Sequence, residues 1–153
     1  MSKRWVLGWL LVIAAWVPVA VAAEPQTIPV RVQHAGEDMV GQRFAYQLRE
    51  AVRGSKAYRL DQSADAMFTI HLVTLDPDDE AEVRNSRTIA AITMTMSNLV
   101  PFERGNPQTW LPIYMNSSVL IVGSGKLESM AQSVLADFDV AVEAVKQQYG
   151  DRD

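Results

Sequence analysis

The carboxyl-terminal stretch of the chain carries an unbroken apolar stripe at helical spacing, and this feature constrains the fold most. The stripe consists of Leu127, Met130, Ala131, Val134, Leu135, Phe138, Ala141, Val142, Val145 and Tyr149. Apolar residues that recur every three or four positions predict an amphipathic helix. A second such helix is predicted from Val40 to Val52, with Gly54 closing it as a C-cap. Each helix must cover an apolar surface, and a sheet provides one.

Strand character fills most of the remaining chain. The predicted strands are Ile28–Gln33, Ala57–Leu60, Met67–Leu75 and Thr88–Ser97, followed by Trp110–Met115 and Ser118–Val122. The last two form either a strand pair or one long bulged strand. The third strand has apolar residues on both faces, which predicts a central position, and the fourth should pair with it as a hairpin. The order β-α-β-β-β-β-α predicts an α+β two-layer sandwich. In it, both helices pack on one face of a mixed sheet of about four or five strands.

The amino-terminal residues have the three parts of a secretory signal peptide. Lys3 and Arg4 are followed by the apolar segment Trp5–Trp16, then by Pro18 and small residues that predict cleavage near Ala23. An uncleaved membrane anchor is the alternative, because the stretch from Trp5 to Ala23 is just long enough to span a bilayer. The signal pattern predicts a periplasmic protein with a signal peptide at residues 1–23, a single domain at residues 24–150, and no stable membrane anchor after cleavage.

Cysteine content and charge exclude several classes. The chain has no cysteine, so it is not a bacterial lipoprotein, and no disulfide stabilises its core. Its formal net charge is −4, and Lys and Arg do not cluster in the sequence. This balance argues against nucleic acid or an anionic lipid surface as the partner.

The stretch Gly123-Ser124-Gly125-Lys126 resembles part of a phosphate-binding loop. Such a loop requires Gly-x-x-x-x-Gly-Lys-Ser/Thr, because the first glycine opens the amide nest and the hydroxyl binds magnesium. Leu120 and Leu127 occupy those two positions here. The stretch is therefore interpreted as a turn into the last helix.

Met94 and Met96 lie two residues apart on a predicted strand, so their thioethers share one face. Soft sulfur ligands suit Cu(I), and Met115 or His71 could complete such a site. Methionine also fills irregular gaps in apolar cores, which is the simpler interpretation. A periplasmic Cu(I) carrier therefore remains the second functional hypothesis, while the leading hypothesis requires no cofactor.

Material for catalysis is sparse. The chain has two histidines, His34 and His71, and no Gly-x-Ser-x-Gly nucleophile elbow. His71 lies within a predicted strand, and His34 lies at a strand end near Glu37 and Asp38, where a local hydrogen bond is expected. We expect no catalytic residue, and a hydrolase of unknown type is the third hypothesis.

Aromatic residues accompany a predicted edge strand. Trp110, Pro112 and Tyr114 lie together, and Pro112 predicts an edge or a bulge because it cannot donate to a sheet hydrogen bond. Aromatic residues at an exposed edge are typical of a partner surface, although they could also cover one open end of the sheet. The strand from Trp110 to Met115 is accordingly the candidate edge for binding an added strand.

The segment from Val40 to Asp76 resembles the amino-terminal domain of the periplasmic TolB proteins and related small envelope domains. The matching residues are Val52, Ser55, Tyr58, Leu60, Ala64 and Asp65. The resemblance covers about a quarter of the chain and implies an α/β fold that binds other proteins in the cell envelope. No propeller repeat follows, and the anchoring cysteine of lipoprotein relatives is missing. The predicted export and the candidate edge strand, together with this resemblance, favour a binding domain for another envelope protein as the leading hypothesis. Its oligomeric state is unknown.

Overall fold

A computed structural model describes residues 27–63, 66–78, 85–100 and 109–150 of the chain. The predicted signal peptide and its cleavage site near Ala23 lie outside these residues. Among the helices that the structure describes, none is both long and apolar enough to cross a membrane.

The observed elements follow the predicted order. They are β1 (Ile28–Ala35), α1 (Met39–Gly54), β2 (Tyr58–Leu60), β3 (Phe68–Leu75), β4 (Arg87–Val100), β5 (Thr109–Gly123), a 3-10 turn (Ser124–Lys126) and α2 (Leu127–Gly150). The glycine-containing stretch that resembles a phosphate loop is thus the turn that leads into α2, as the sequence predicts.

The five strands form one mixed sheet in the order β2-β1-β3-β4-β5. β1 pairs in parallel with both β2 and β3, whereas β3, β4 and β5 pair antiparallel. The central position of β3 and its hairpin with β4 are confirmed. The parallel insertion of β1 between β2 and β3 is possible because α1 connects β1 to β2 on one face.

Both helices cover the same face of the sheet, and the core lies between the two layers. Phe138 of α2 stands at its centre, with its ring centroid 5.2 Å from that of Tyr58 and 5.7 Å from that of Phe68. Phe44 and Leu48 of α1 are fully buried beside it. The predicted α+β two-layer sandwich, with two helices on one sheet face, is therefore confirmed.

The start of α1 is fixed tightly against the end of β3. The Asp38 side chain caps the helix by accepting a hydrogen bond from the Gly41 amide. A Cβ on Gly41 would overlap the Thr74 side chain, so glycine is required for this close approach. His34 Nε2 lies 2.8 Å from Thr74 Oγ1, which differs from the local hydrogen bond to Glu37 or Asp38 that we expected.

β5 is one long strand with a bulge, the second of the two predicted alternatives. Met94 of β4 is opposite Asn116, whereas the next residue, Thr95, is opposite Tyr114, so Met115 has no partner in the register. A bulge of this kind increases the local twist and separates the strand into two parts. Because β5 is also the last strand of the sheet, Pro112 lies on an edge strand, as the sequence predicts.

Candidate interaction surface

The second face of the sheet, which we call the open face, is not covered by α1 or α2. Successive strand residues point to opposite faces, so residues such as Val30, Ile70 and Ile92 enter the core while their neighbours reach the open face. The strand register aligns the open-face side chains in rows that cross the sheet. Some rows are polar and others apolar, which gives the open face a polar half and an apolar half.

The apolar half lies where β5 ends. Its two rows are Val73–Ala91–Val119 and Leu75–Ile89–Ile121. Val119 is 71% exposed, Ile121 65% and Leu75 64%. Single exposed apolar residues are normal, but a contiguous patch across neighbouring strands is typical of an interaction site. The apolar half is therefore the first component of the candidate surface.

The polar half carries hydroxyl groups beside one guanidinium group. Its two rows are Arg31–Thr69–Thr95–Tyr114 and Gln33–His71–Thr93–Ser117. A groove of about 510 Å³ runs over these rows as far as Pro112, and none of the described residues that line it carries a carboxylate. His71 Nε2 lies 3.2 Å from Thr95 Oγ1, and burial together with nearby Arg31 lowers the pKa of His71. This half offers hydrogen-bond donors and acceptors beside one positive charge.

Near its carboxyl end, the outer edge of β5 has backbone groups that find no partner among the described residues. The Ser124 amide donates to the Ser86 carbonyl at 2.8 Å. Because hydrogen-bonded pairs alternate along an antiparallel ladder, the even-numbered residues of this part of β5 direct their backbone N–H and C=O groups toward β4. Val119, Ile121 and Gly123 therefore direct their N–H and C=O groups away from the sheet. The same residues border the apolar half, so the free edge and the apolar patch are adjacent.

The amino-terminal part of β5, where the candidate edge was predicted, is less suitable for strand addition. The Ser97 amide donates to the Met67 carbonyl at 2.8 Å, toward β3, so its partner Pro112 faces outward. Proline has no N–H group, and the outward edge lacks a donor at that position. Beyond the bulge, the outward Ser117 amide already donates to Asn116 Oδ1 at 2.8 Å.

The aromatic residues singled out in the sequence are only partly brought together. Tyr114 is exposed on the open face, where its hydroxyl lies 3.1 Å from Ser117 Oγ, and Pro112 lines the groove of the polar half. The backbone of Trp110 belongs to β5, but its side chain lies outside what the structure describes. Pro112 and Tyr114 therefore border the polar half of the open face.

The two methionines proposed as copper ligands both belong to the core side of β4. Met94 is 2% exposed within the apolar core, and Met96 packs against it, as does Met115. His71 points to the opposite face of the sheet, so it cannot join them. In the part of the chain that is described, no cluster of three or more His, Asp or Glu side chains could hold a metal ion.

The side chains of the two histidines lie on different faces of the sheet. His34 is aligned with Leu72, whereas His71 is aligned with Gln33, so their side chains leave the sheet on opposite sides. Burial, assisted by Arg49, lowers the pKa of His34, and Asp38 opposes this effect. Each histidine instead bonds to a threonine hydroxyl.

The fold and its surface define a class: an α+β sandwich in which the described residues leave one sheet face and one edge segment uncovered. Comparison with known protein families finds no family model that matches the chain, and comparison with curated proteins finds no match. The geometry of the open face and of the β5 edge therefore carries the functional argument.

Sequence reasoning missed the apolar half, although a signal for it is present. The stretch from Val119 to Val122 is apolar at four consecutive positions, and Ile89 to Ile92 repeats this pattern. Consecutive apolar residues on a strand place apolar side chains on both faces, and such strands are usually covered on both. With only two helices, both on one side, the second apolar face has no cover among the described residues.

Proposed function

We propose that this protein is an exported binding domain of the bacterial periplasm that recognises another envelope protein by adding a partner strand to β5. The observation that carries the proposal is the free edge at Val119, Ile121 and Gly123 next to the exposed apolar half. The signal pattern at residues 1–23 supports export, and the resemblance to TolB amino-terminal domains supports an envelope setting.

A strand added to this edge would gain two kinds of interaction. Its backbone would pair with the outward N–H and C=O groups of β5, each hydrogen bond contributing about 0.5–1.5 kcal/mol net. Its side chains would also cover Val119 and Ile121, which are about two-thirds exposed. Complete burial of such side chains is worth about 1.5–3 kcal/mol, so covering the remainder contributes about 1–2 kcal/mol for each.

Strand addition is proposed for the segment Ser117–Gly123 and not for Trp110–Met115. Pro112 removes an outward donor from the latter segment, and the bulge at Met115 interrupts the regular edge. Pro112 and Tyr114 keep a role in this proposal because they border the polar half, where a partner that extends across the open face would exchange hydrogen bonds.

The test is crosslinked affinity capture of the tagged protein from periplasmic and membrane extracts, with two matched lysine variants. Val119→Lys places a charge on the proposed edge, whereas Val140→Lys places the same charge on the outer side of α2. The two valines are equally exposed, at 71% and 72%. We expect one dominant partner that is retained by Val140→Lys and lost by Val119→Lys.

Further results of the capture experiment distinguish the β5 edge from the polar half of the open face as the binding site. A partner retained equally by both lysine variants would refute the β5 edge as the binding site. Tyr114→Lys then separates the halves of the open face: a partner lost only in this variant would assign recognition to the polar half. The absence of any partner in the wild-type capture would contradict the binding-domain proposal itself.

A further inference from the structure

We propose that the same edge of β5 also pairs with a second copy of this chain. In the proposed twofold dimer the two β5 strands run antiparallel, with Leu120 of each copy at the axis. The proposal uses the edge geometry alone and does not depend on the existence of an envelope partner.

The free edge is symmetric about Leu120. An antiparallel pairing centred there aligns Val119 with Ile121 of the second copy and Ser117 with Gly123 of the second copy. Val119, Ile121 and Gly123 are outward-facing, as the Ser124–Ser86 hydrogen bond requires. Val119 and Ile121 of the two copies, which face each other in this way, exchange both backbone hydrogen bonds. At the Ser117–Gly123 pair the Ser117 amide already donates to Asn116 Oδ1, so the new bond there runs from the Gly123 amide to the Ser117 carbonyl.

The same register joins the apolar rows of the two molecules. The row Val73–Ala91–Val119 of one copy continues directly into Ile121–Ile89–Leu75 of the other. The pairing therefore places β-branched side chains opposite each other, which is a favourable cross-strand combination on a sheet face. A register shifted by one residue would align each outward-facing residue of one copy with an inward-facing residue of the other. The outward N–H and C=O groups would then find no partner.

Charge and local geometry allow a second copy to approach. β5 contains no charged residue from Thr109 to Gly123, so a twofold copy meets no like charge along the strand. Pro112 and the bulge at Met115 lie outside the segment Ser117–Gly123 and do not interrupt the pairing. A segment of this length buries a small area, which gives a weak dimer that dissociates on dilution.

Because the chain has no cysteine, a single substitution tests both the dimer and its register. In Leu120→Cys the two thiols meet at the axis. The Cα atoms of a non-hydrogen-bonded antiparallel pair are about 4.5 Å apart, a separation that a disulfide can span. Ser118→Cys is the control for register, since Ser118 is aligned with Val122 of the second copy and not with itself.

The measurements use the purified protein, produced from its complete coding sequence, without extracts. We expect Leu120→Cys to form disulfide-linked dimers under mild oxidation, and Ser118→Cys and Val140→Cys to remain monomeric. Sedimentation of the cysteine-free protein should show a concentration-dependent dimer. Its dissociation constant should rise roughly tenfold or more in Ile121→Lys, the factor that about 1.4 kcal/mol gives, and stay unchanged in Val140→Lys.

Three results would overturn the proposal. The first is a wild-type protein that stays monomeric at the highest soluble concentration. The second is a dimer that Ile121→Lys does not weaken, and the third is crosslinking of Ser118→Cys as readily as Leu120→Cys. Since these assays contain no other protein, their failure is distinguishable from failure of the partner capture. The sedimentation series also covers the case in which Leu120→Cys does not fold.

Discussion

Met94 provides the sharpest test between a core role and a copper site. Its side chain is 2% exposed and lies in the apolar core between β4 and the helices. Truncating a fully buried methionine to alanine costs about 2–5 kcal/mol, because transfer and cavity terms add. Replacement by leucine conserves volume and costs less than about 1.5 kcal/mol. A core role therefore predicts a large loss of unfolding free energy in Met94→Ala and a small one in Met94→Leu.

Urea unfolding followed by far-ultraviolet circular dichroism measures both effects. With a slope of about 1–3 kcal/mol per molar urea, Met94→Ala should lower the midpoint by roughly 1–2 M or more. Met39→Ala is the matched control, because Met39 begins α1 and is 59% exposed. Surface substitutions of this kind usually change stability by no more than about 0.5 kcal/mol.

Stability and Cu(I) binding, measured on methionine variants, distinguish the core role of Met94 from the copper-site hypothesis. If Met94→Ala unfolds at the same urea concentration as Met39→Ala, a core role of Met94 is refuted. Titration with Cu(I) in competition with a chelator supplies the second readout. In the contrary outcome, the wild type binds Cu(I) tightly, and a variant with leucine at Met94 and Met96 loses that binding while it keeps its stability. This result would replace the binding-domain proposal with a Cu(I) carrier.

Gly41→Ala, with Gly54→Ala as its control, tests the packing of α1, and His34→Gln tests the pH dependence of stability. Gly41→Ala should destabilise the protein by about 1–3 kcal/mol in urea unfolding, because the added Cβ overlaps Thr74. Gly54→Ala, which has open space around it, should not destabilise it. Burial holds the pKa of His34 in the folded protein below its value in the unfolded chain. The contribution of His34 to the free energy of unfolding is therefore complete above the unfolded-state pKa, and it is lost as the pH falls through the folded-state pKa. His34→Gln should therefore reduce the loss of stability between about pH 7 and pH 5, measured as urea midpoints; an unchanged pH slope would contradict this.

Local pattern predicted the elements, and in part their neighbours. Apolar residues on both faces of β3 indicated a central strand, and the return of strand character after a polar loop indicated a hairpin with β4; both are confirmed. The position of β1 between β2 and β3 was not predictable from periodicity. Alternation identifies which residues share a face, but it contains no information on which strands lie side by side.

The candidate site depended on information that only the register supplies. Pro112 indicated an edge strand from the sequence, and this is confirmed. Whether its missing N–H faces the sheet or the solvent depends on its alignment with Ser97, which no local pattern encodes. Likewise, the apolar stretch from Val119 to Val122 contains a signal for two apolar faces that the sequence analysis did not use, and only the placement of both helices on one side shows which face they leave uncovered.

The two edges of this sheet are protected unequally, and the difference argues for an occupant at one segment. β2 is only three residues long and carries the exposed Arg59, features that discourage pairing with another strand. The amino-terminal part of β5 has Pro112 and a bulge. The segment Ser117–Gly123 has neither charge, proline nor bulge, and it borders the apolar half. An unprotected apolar edge invites aggregation unless something covers it. The proposed pairing with a partner strand or a second copy would explain why this segment carries no charge.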